Sequence, residues 1–174
     1  MLPIEYYSYD DYSKWKGDWE LIKGIPLALS PSPTITHQII VSKIVFELKE
    51  SKNCLILGGT DWKISNDTVV RPDVVLTYNE TNDTYMTKAP EIIFEVISKS
   101  TAKRDEKTKF KLYEEEGVQD YIIVYPNDLK AKVYKLENGH YLKVGDFLTE
   151  SYTFEKSTCK ASVDFGAVFE RFRK

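Results

Sequence analysis

PEIIFEVISKSTAKRDEKTKFKLYEEEGVQDYIIVYP, Pro90 to Pro126, decides the fold class. Its first part, IIFEVIS, is a run of branched and aromatic residues, the pattern of a buried strand. Ser100 or Thr101 then opens a helix that runs through KRDEKTKFKLYEEE and stops at Gly117, a suitable residue just past a helix end. VQDYIIVYP reads as a second strand.

Working outward, Ser8 can cap a short helix reaching Trp15, and WELIKGIPLALSPSP reads as a hairpin around Gly24 that ends where two prolines forbid ladder bonds. THQIIVSKIVFELKESKN is the clearest helix, capped by Thr34 or Thr36. Val41, Ile44, Val45 and Leu48 recur at helical spacing, with His37 on the same face and Lys43, Glu47 and Glu50 elsewhere. CLILGGTDWKISNDTVVRPDVVLTY reads as two or three strands, and NETNDTYMTKAP as a loop free to move or to cover a site. LKAKVYKLENGHYLKV is a hairpin turning at Asn138-Gly139, and short strands and a final helix follow. The expected architecture is one α/β (α+β) domain over residues 1–174: a central mixed sheet flanked by helices, with an N-terminal hairpin and a C-terminal strand and helix extension.

The chain has 174 residues and a net charge of −3, so any nucleic-acid binding must come from a local basic patch. No apolar run is long enough to span a bilayer, and the first fifteen residues lack the basic start and apolar stretch of a secretory signal. The cytoplasm is the expected compartment. Cys54 lies in an apolar run, and neither it nor Cys159 has metal-ligand spacing with histidine, so a reduced, packed thiol is expected.

Two acids interrupt otherwise apolar strands. Asp73 follows Pro72 in RPDVV, and Glu95 lies mid-strand in IIFEVIS, twenty-two positions on. If the strands are neighbours, the carboxylates converge. Two buried anions repel and each is penalised by desolvation, so a shared proton, a basic side chain or a divalent cation must compensate. Oxygen ligands suit Mg2+ or Mn2+.

This acid pair resembles that of the PD-(D/E)XK nuclease superfamily. ELIKGIPLALSPSPTITHQ, DTVVRPDVVL and the Pro90–Pro126 stretch together resemble the Uma-type restriction-endonuclease family, from about Tyr7 to the C-terminus. The resemblance extends to the turn Ser98-Lys99-Ser100-Thr101, to Arg104, Asp105, Lys109 and Tyr113 in the next helix, and to Gly117, Val118 and Tyr121. It implies a metal-dependent endonuclease acting on DNA through Asp73 and Glu95. Glu20 matches a family glutamate and would supply a third acid to the metal or its waters.

The superfamily's lysine, two after the glutamate, is replaced here by Ile97, and the branch's Asp-Pro after the next strand by Tyr125-Pro126. A lysine can reach the site from elsewhere, because only the ammonium's position matters. Lys109 matches the family's helix lysine and lies four from both Asp105 and Tyr113, on one helical stripe; Lys107 and Lys111 point elsewhere. His37, Gln38 and Ser98 are supporting candidates beside Asp105 and Tyr113. Lys99, Lys103, Arg104 and Lys107 are candidates for phosphate contact. A homodimer is expected by analogy with duplex cleavers. Two other functions stay open: a non-catalytic nucleic-acid-binding or assembly module on the same fold, and a metal hydrolase of a small phosphorylated substrate.

Overall fold

The structure, a computed structural model, describes residues 4–29, 33–49 and 53–173. Helix α1 (Tyr9–Tyr12) is capped by a Ser8–Asp11 capping box. Strands β1 (Trp19–Ile22) and β2 (Ile25–Ala28) pair around Lys23-Gly24, both at positive φ, a turn whose twist suits a hairpin. The SPSP stop lies largely outside the described residues, as does Glu50. Helix α2 (Ile35–Leu48) starts at Thr34, whose Oγ1 accepts the His37 N–H at 3.2 Å. Its buried row is Ile40, Ile44 and Leu48, while Val41 and Val45 are only partly buried.

The stretch expected to hold two or three strands holds four: β3 (Cys54–Gly58), β4 (Trp62–Ser65), β5 (Thr68–Val70) and β6 (Val74–Tyr78). The extra element arises because the chain changes sheets at Arg71-Pro72-Asp73, where proline has no N–H for a ladder. The loop after β6 is folded. Glu80 accepts backbone N–H bonds from Thr81, Asn82, Thr87 and Lys88, and these outweigh burial and hold its carboxyl down to about 2. Met86 is buried in the core.

Strand β7 (Ile92–Val96) leads into π-helical turns over Arg104–Lys109 and then α3 (Phe110–Glu115), with Gly117 at φ 77° beyond the cap. Strand β8 (Asp120–Tyr125) returns parallel to β7. The hairpin β9 (Lys130–Glu137) and β10 (His140–Phe147) turns at Asn138-Gly139, both at positive φ. Strands β11 (Ser151–Thr153) and β12 (Ser162–Asp164) pair before α4 (Phe165–Phe169).

The result is a mixed α+β fold. Its central six-stranded sheet has the order β10-β9-β8-β7-β6-β3, antiparallel except for β7 and β8, beside a four-stranded sheet β2-β1-β5-β4. Successive residues of a strand face opposite sides, so the central sheet builds two cores. Ile92, Phe94 and Val96 join α2 and α4 on one face. Ile93, Val75 and Ile123 face Leu112 and Tyr113 of α3 on the other. Each such large apolar side chain contributes about 1.5–3 kcal/mol through burial. No helix among the described residues is long and apolar enough to cross a membrane.

The expectation of a reduced thiol is corrected. Cys54, at the start of β3, forms a disulfide with Cys159, with Cα atoms 5.9 Å apart. The two cysteines are 105 positions apart, and only the docking of the C-terminal segment beside β3 brings them together.

Candidate active site

The crossing between sheets places the first acid. Val74 pairs with Phe94 in the antiparallel β6–β7 ladder, so the preceding residue, Asp73, lies across from Glu95. Asp73 Oδ2 accepts the Val96 N–H at 2.7 Å, which fixes the carboxylate over the end of β7. Its Oδ1 lies 3.2 Å from His37 Nε2, which α2 delivers from its first turn. Burial pushes the His37 pKa down, but the bond to Asp73 outweighs it, and the net direction is up. His37 Nδ1 is buried without a hydrogen-bond partner.

Glu95 shares its face of β7 with Ile93 and points beneath the π-helical turns. Asp105, Lys109 and Tyr113, at spacing four, all turn inward there. Glu95 Oε1 accepts from Lys109 Nζ at 2.8 Å and from the Tyr113 hydroxyl at 2.8 Å. From β1, Glu20 Oε1 approaches Lys109 Nζ to 2.7 Å and also accepts the Arg71 N–H at 2.8 Å. Asp105 Oδ1 is 3.7 Å from the same ammonium. Arg104 lies further out, its Nε 3.6 Å from Glu20 Oε2 and 3.9 Å from Asp105 Oδ1.

This is a buried ionic cluster. Glu20, Glu95, Asp105 and Lys109 are exposed by 0, 3, 3 and 2 %. Taking an ion out of water costs several kcal/mol, so such a group survives only when it is paired. Three carboxylates face two cations, and the imbalance shows in the titration. Burial drives Glu95 well up, with Lys109 pulling against it and Asp105, Asp73 and Glu20 adding to the rise. Burial likewise raises Asp105. Burial opposes charge on Lys109, but Glu20, Glu95 and Asp105 together hold it firmly protonated. Glu20 Oε2 and Asp105 Oδ1 have no hydrogen-bond partner, so the cluster retains acceptor capacity.

The other candidates divide. Gln38 is exposed on α2. Ser98 is exposed, bonded within its own turn to Thr101 and Ser100. Lys99, Lys103 and Lys107 are exposed, whereas Arg104 turns inward to the acids. One feature escaped the sequence reading. Arg71 donates from Nε to Asp61 Oδ1 at 2.7 Å and from Nη1 to Asp18 Oδ1 at 2.6 Å, and Tyr12 donates to Asp61 Oδ2 at 2.8 Å. This network pins Arg71 so that its N–H meets Glu20. Only its place before Pro72-Asp73 hinted at a role, since Asp18 and Asp61 look like ordinary turn acids.

Asp73 and Glu95 offer the hard oxygen donors that Mg2+ or Mn2+ takes. Among the described residues no three Asp, Glu, His or Cys side chains form a ready-made ligand set. Two carboxylates would leave a hard cation such as Mg2+ most of its waters, which that ion keeps readily.

The fold recurs in a solved structure. A solved structure titled as a putative nuclease belonging to DUF820, from Anabaena variabilis, superimposes with a TM-score of 0.73 over 97% of this chain and 98% of that one, at 14% sequence identity. At that identity the likeness is one of fold. The chain itself belongs to the Uma2 family, described as "Putative restriction endonuclease", which matches residues 5–156. No curated protein matches.

Proposed function

We propose that the chain is a metal-dependent endonuclease that hydrolyses phosphodiester bonds of DNA. Asp73 and Glu95 would hold Mg2+ or Mn2+, with Glu20 as the supporting acid. The observation that carries this reading is Lys109. With Ile97 in the superfamily's lysine position, an ammonium arrives from the following helix and stops 2.8 Å from Glu95. When bound, the cation would polarise a phosphoryl oxygen and make its water nucleophilic at neutral pH.

The remaining roles belong to this chain's side chains. Lys109 adds fixed positive charge where the anionic transition state forms and orients the attacking water. Glu20 and Asp105 hold that ammonium in place. Tyr113 donates to Glu95 and sets its rotamer. His37 and the Val96 N–H together orient Asp73. Glu95 Oε1 is given to Lys109 and Tyr113, so Oε2 would be its donor to a cation.

Calorimetric titration with Mn2+, beside nicking of supercoiled plasmid, tests this reading. Binding and nicking are expected in the wild type and loss of both in Asp73→Asn and Glu95→Gln. Metal affinity indifferent to both substitutions would sink the proposal. A second reading, a non-catalytic nucleic-acid-binding or assembly module, is favoured by the closure of Glu95 Oε1 onto Lys109 and Tyr113. It predicts DNA binding with plasmid, linear duplex, single strands and RNA all surviving prolonged incubation.

A homodimer has its best support in Leu142 and Val144, exposed on the edge strand β10. We also place the protein in the cytoplasm, where DNA is met. The Cys54–Cys159 bond runs against this, because disulfides persist mainly in oxidising compartments.

A further inference from the structure

The helix that buries Lys109 carries a second row of lysines on its other side. Asp105, Lys109 and Tyr113 form the inward row. Offset from it by two residues, and hence roughly opposite on the helix, Lys103, Lys107 and Lys111 follow one another at spacing four, all exposed. Lys99 precedes them by four in the turn after β7. Across a cleft of about 310 Å3 stands Lys23 of the β1–β2 turn, so that Lys23, Lys107, Thr108 and Lys111 share one opening. The side chains of Lys23 and Lys111 are 70% and 74% exposed.

Most acids of the same helix are turned away from this row. Asp105 is buried against Lys109. Glu106 accepts from the Tyr125 hydroxyl at 2.6 Å, and Glu114 accepts the Tyr141 N–H at 2.6 Å, so both carboxylates are held toward the sheet. Glu116 is the C-cap beyond the last turn. Glu115 alone faces the cleft, 3.9 Å from Lys23 and 3.8 Å from Lys111. Like charges at spacing four weaken a helix, and of the three only Lys111 has a compensating pair at that spacing, with Glu115. The row also stands out on a chain whose net charge is −3.

We propose that Lys103, Lys107 and Lys111, with Lys23 across the cleft, form a track for the sugar-phosphate backbone of a DNA strand. The row extends on the order of 10 Å, room for about two or three successive phosphates of one strand. Lys99 links its near end to the strand that carries Glu95. Arg104 is no part of it, since its guanidinium is turned inward to Glu20 and Asp105. The track names the substrate contact of the proposed nuclease and rests on that reading. It assigns the contacts to charge alone, so they position the duplex without reading its sequence.

The test is fluorescence anisotropy with a labelled duplex of about 20 base pairs, without divalent metal, across a range of NaCl concentrations. The proteins compared are the wild type, Lys103→Gln/Lys107→Gln/Lys111→Gln and, as a control, Lys156→Gln at an exposed lysine of the C-terminal segment. Each backbone contact removed lowers the slope of log K against log salt by about 0.9. The triple variant is expected to lose about 3 from that slope and at least tenfold in affinity near 0.1 M salt. Lys156→Gln is expected to leave the slope unchanged. Circular dichroism melts check that the variants are folded.

An unaltered slope in the folded triple variant would overturn the track. Cleavage of plasmid by the wild type is measured separately. A wild type that binds through these lysines but never nicks plasmid sinks the nuclease reading and leaves the track, whereas a nicking enzyme with a lysine-independent slope sinks only the track.

Discussion

Lys109 Nζ and Glu95 Oε1 lie 2.8 Å apart, though fourteen residues separate them in the chain. The strand supplies the carboxylate, the helix after it supplies the ammonium, and both are removed from water. Much of the behaviour of this protein should follow from that one contact and the groups around it.

Removing the cation leaves Glu20 and Glu95 buried against each other. Lys109→Ala is expected to destabilise the fold by roughly 3–5 kcal/mol in urea denaturation at pH 7.5, the scale for breaking a buried pair. Adding Glu95→Gln or Glu20→Gln should recover part of that loss. Purely additive losses in this cycle would show that the three groups are not coupled.

Ile97 lies two along the strand from Glu95 and packs partly against the same core. A lysine there would project from Glu95's side of the sheet. The double variant Ile97→Lys/Lys109→Met is therefore expected to be about 1–2 kcal/mol more stable than Lys109→Met, through a restored cation beside Glu95. A double variant less stable than Lys109→Met would mean that position 97 cannot deliver an ammonium to the cluster.

Asp120 stands at the start of β8, 1% exposed, and burial pushes its carboxyl up to about 6 from an ordinary value of 3.8, against the pull of Lys135 and Lys156. A raised acid binds its proton more tightly in the folded state. Its contribution is therefore most favourable below pH 3.8 and is lost as pH rises to about 6. Asp120→Asn is expected to stabilise the protein by about 2 kcal/mol at pH 7.5, and by little at pH 3.5. Urea midpoints at the two pH values decide it, and equal shifts at both would remove the assigned cause.

The Cys54–Cys159 bond closes a loop of about a hundred residues, for which the chain-entropy argument gives about 4–5 kcal/mol and experience with native disulfides about 2–5. Dithiothreitol is expected to lower stability by about 3 kcal/mol, and thiol titration of the unreduced, unfolded protein to find no free thiol. Two titratable thiols in freshly isolated protein would restore the reduced pair expected from the sequence.

The periodicity of single segments determined a good deal. Branched runs marked β7 and β8, spacing four marked α2 and the helix after β7, and Asn138-Gly139 marked its hairpin, because each signal lies within one element. The same local logic exposed Asp73 and Glu95 as acids out of place in apolar strands. What no segment contains was decided by the tertiary fold. Pairing of β6 with β7 set Asp73 across from Glu95, and β1 brought Glu20 to Lys109. Docking of the C-terminal segment joined Cys54 to Cys159, and Arg71, Asp61 and Asp18 met only once two sheets were in place. The physical reason is one of range. Backbone preference and side-chain alternation act over a turn or a strand, whereas the pairing of charges and sulfurs depends on where distant elements are packed, and desolvation then fixes which of those pairs must form.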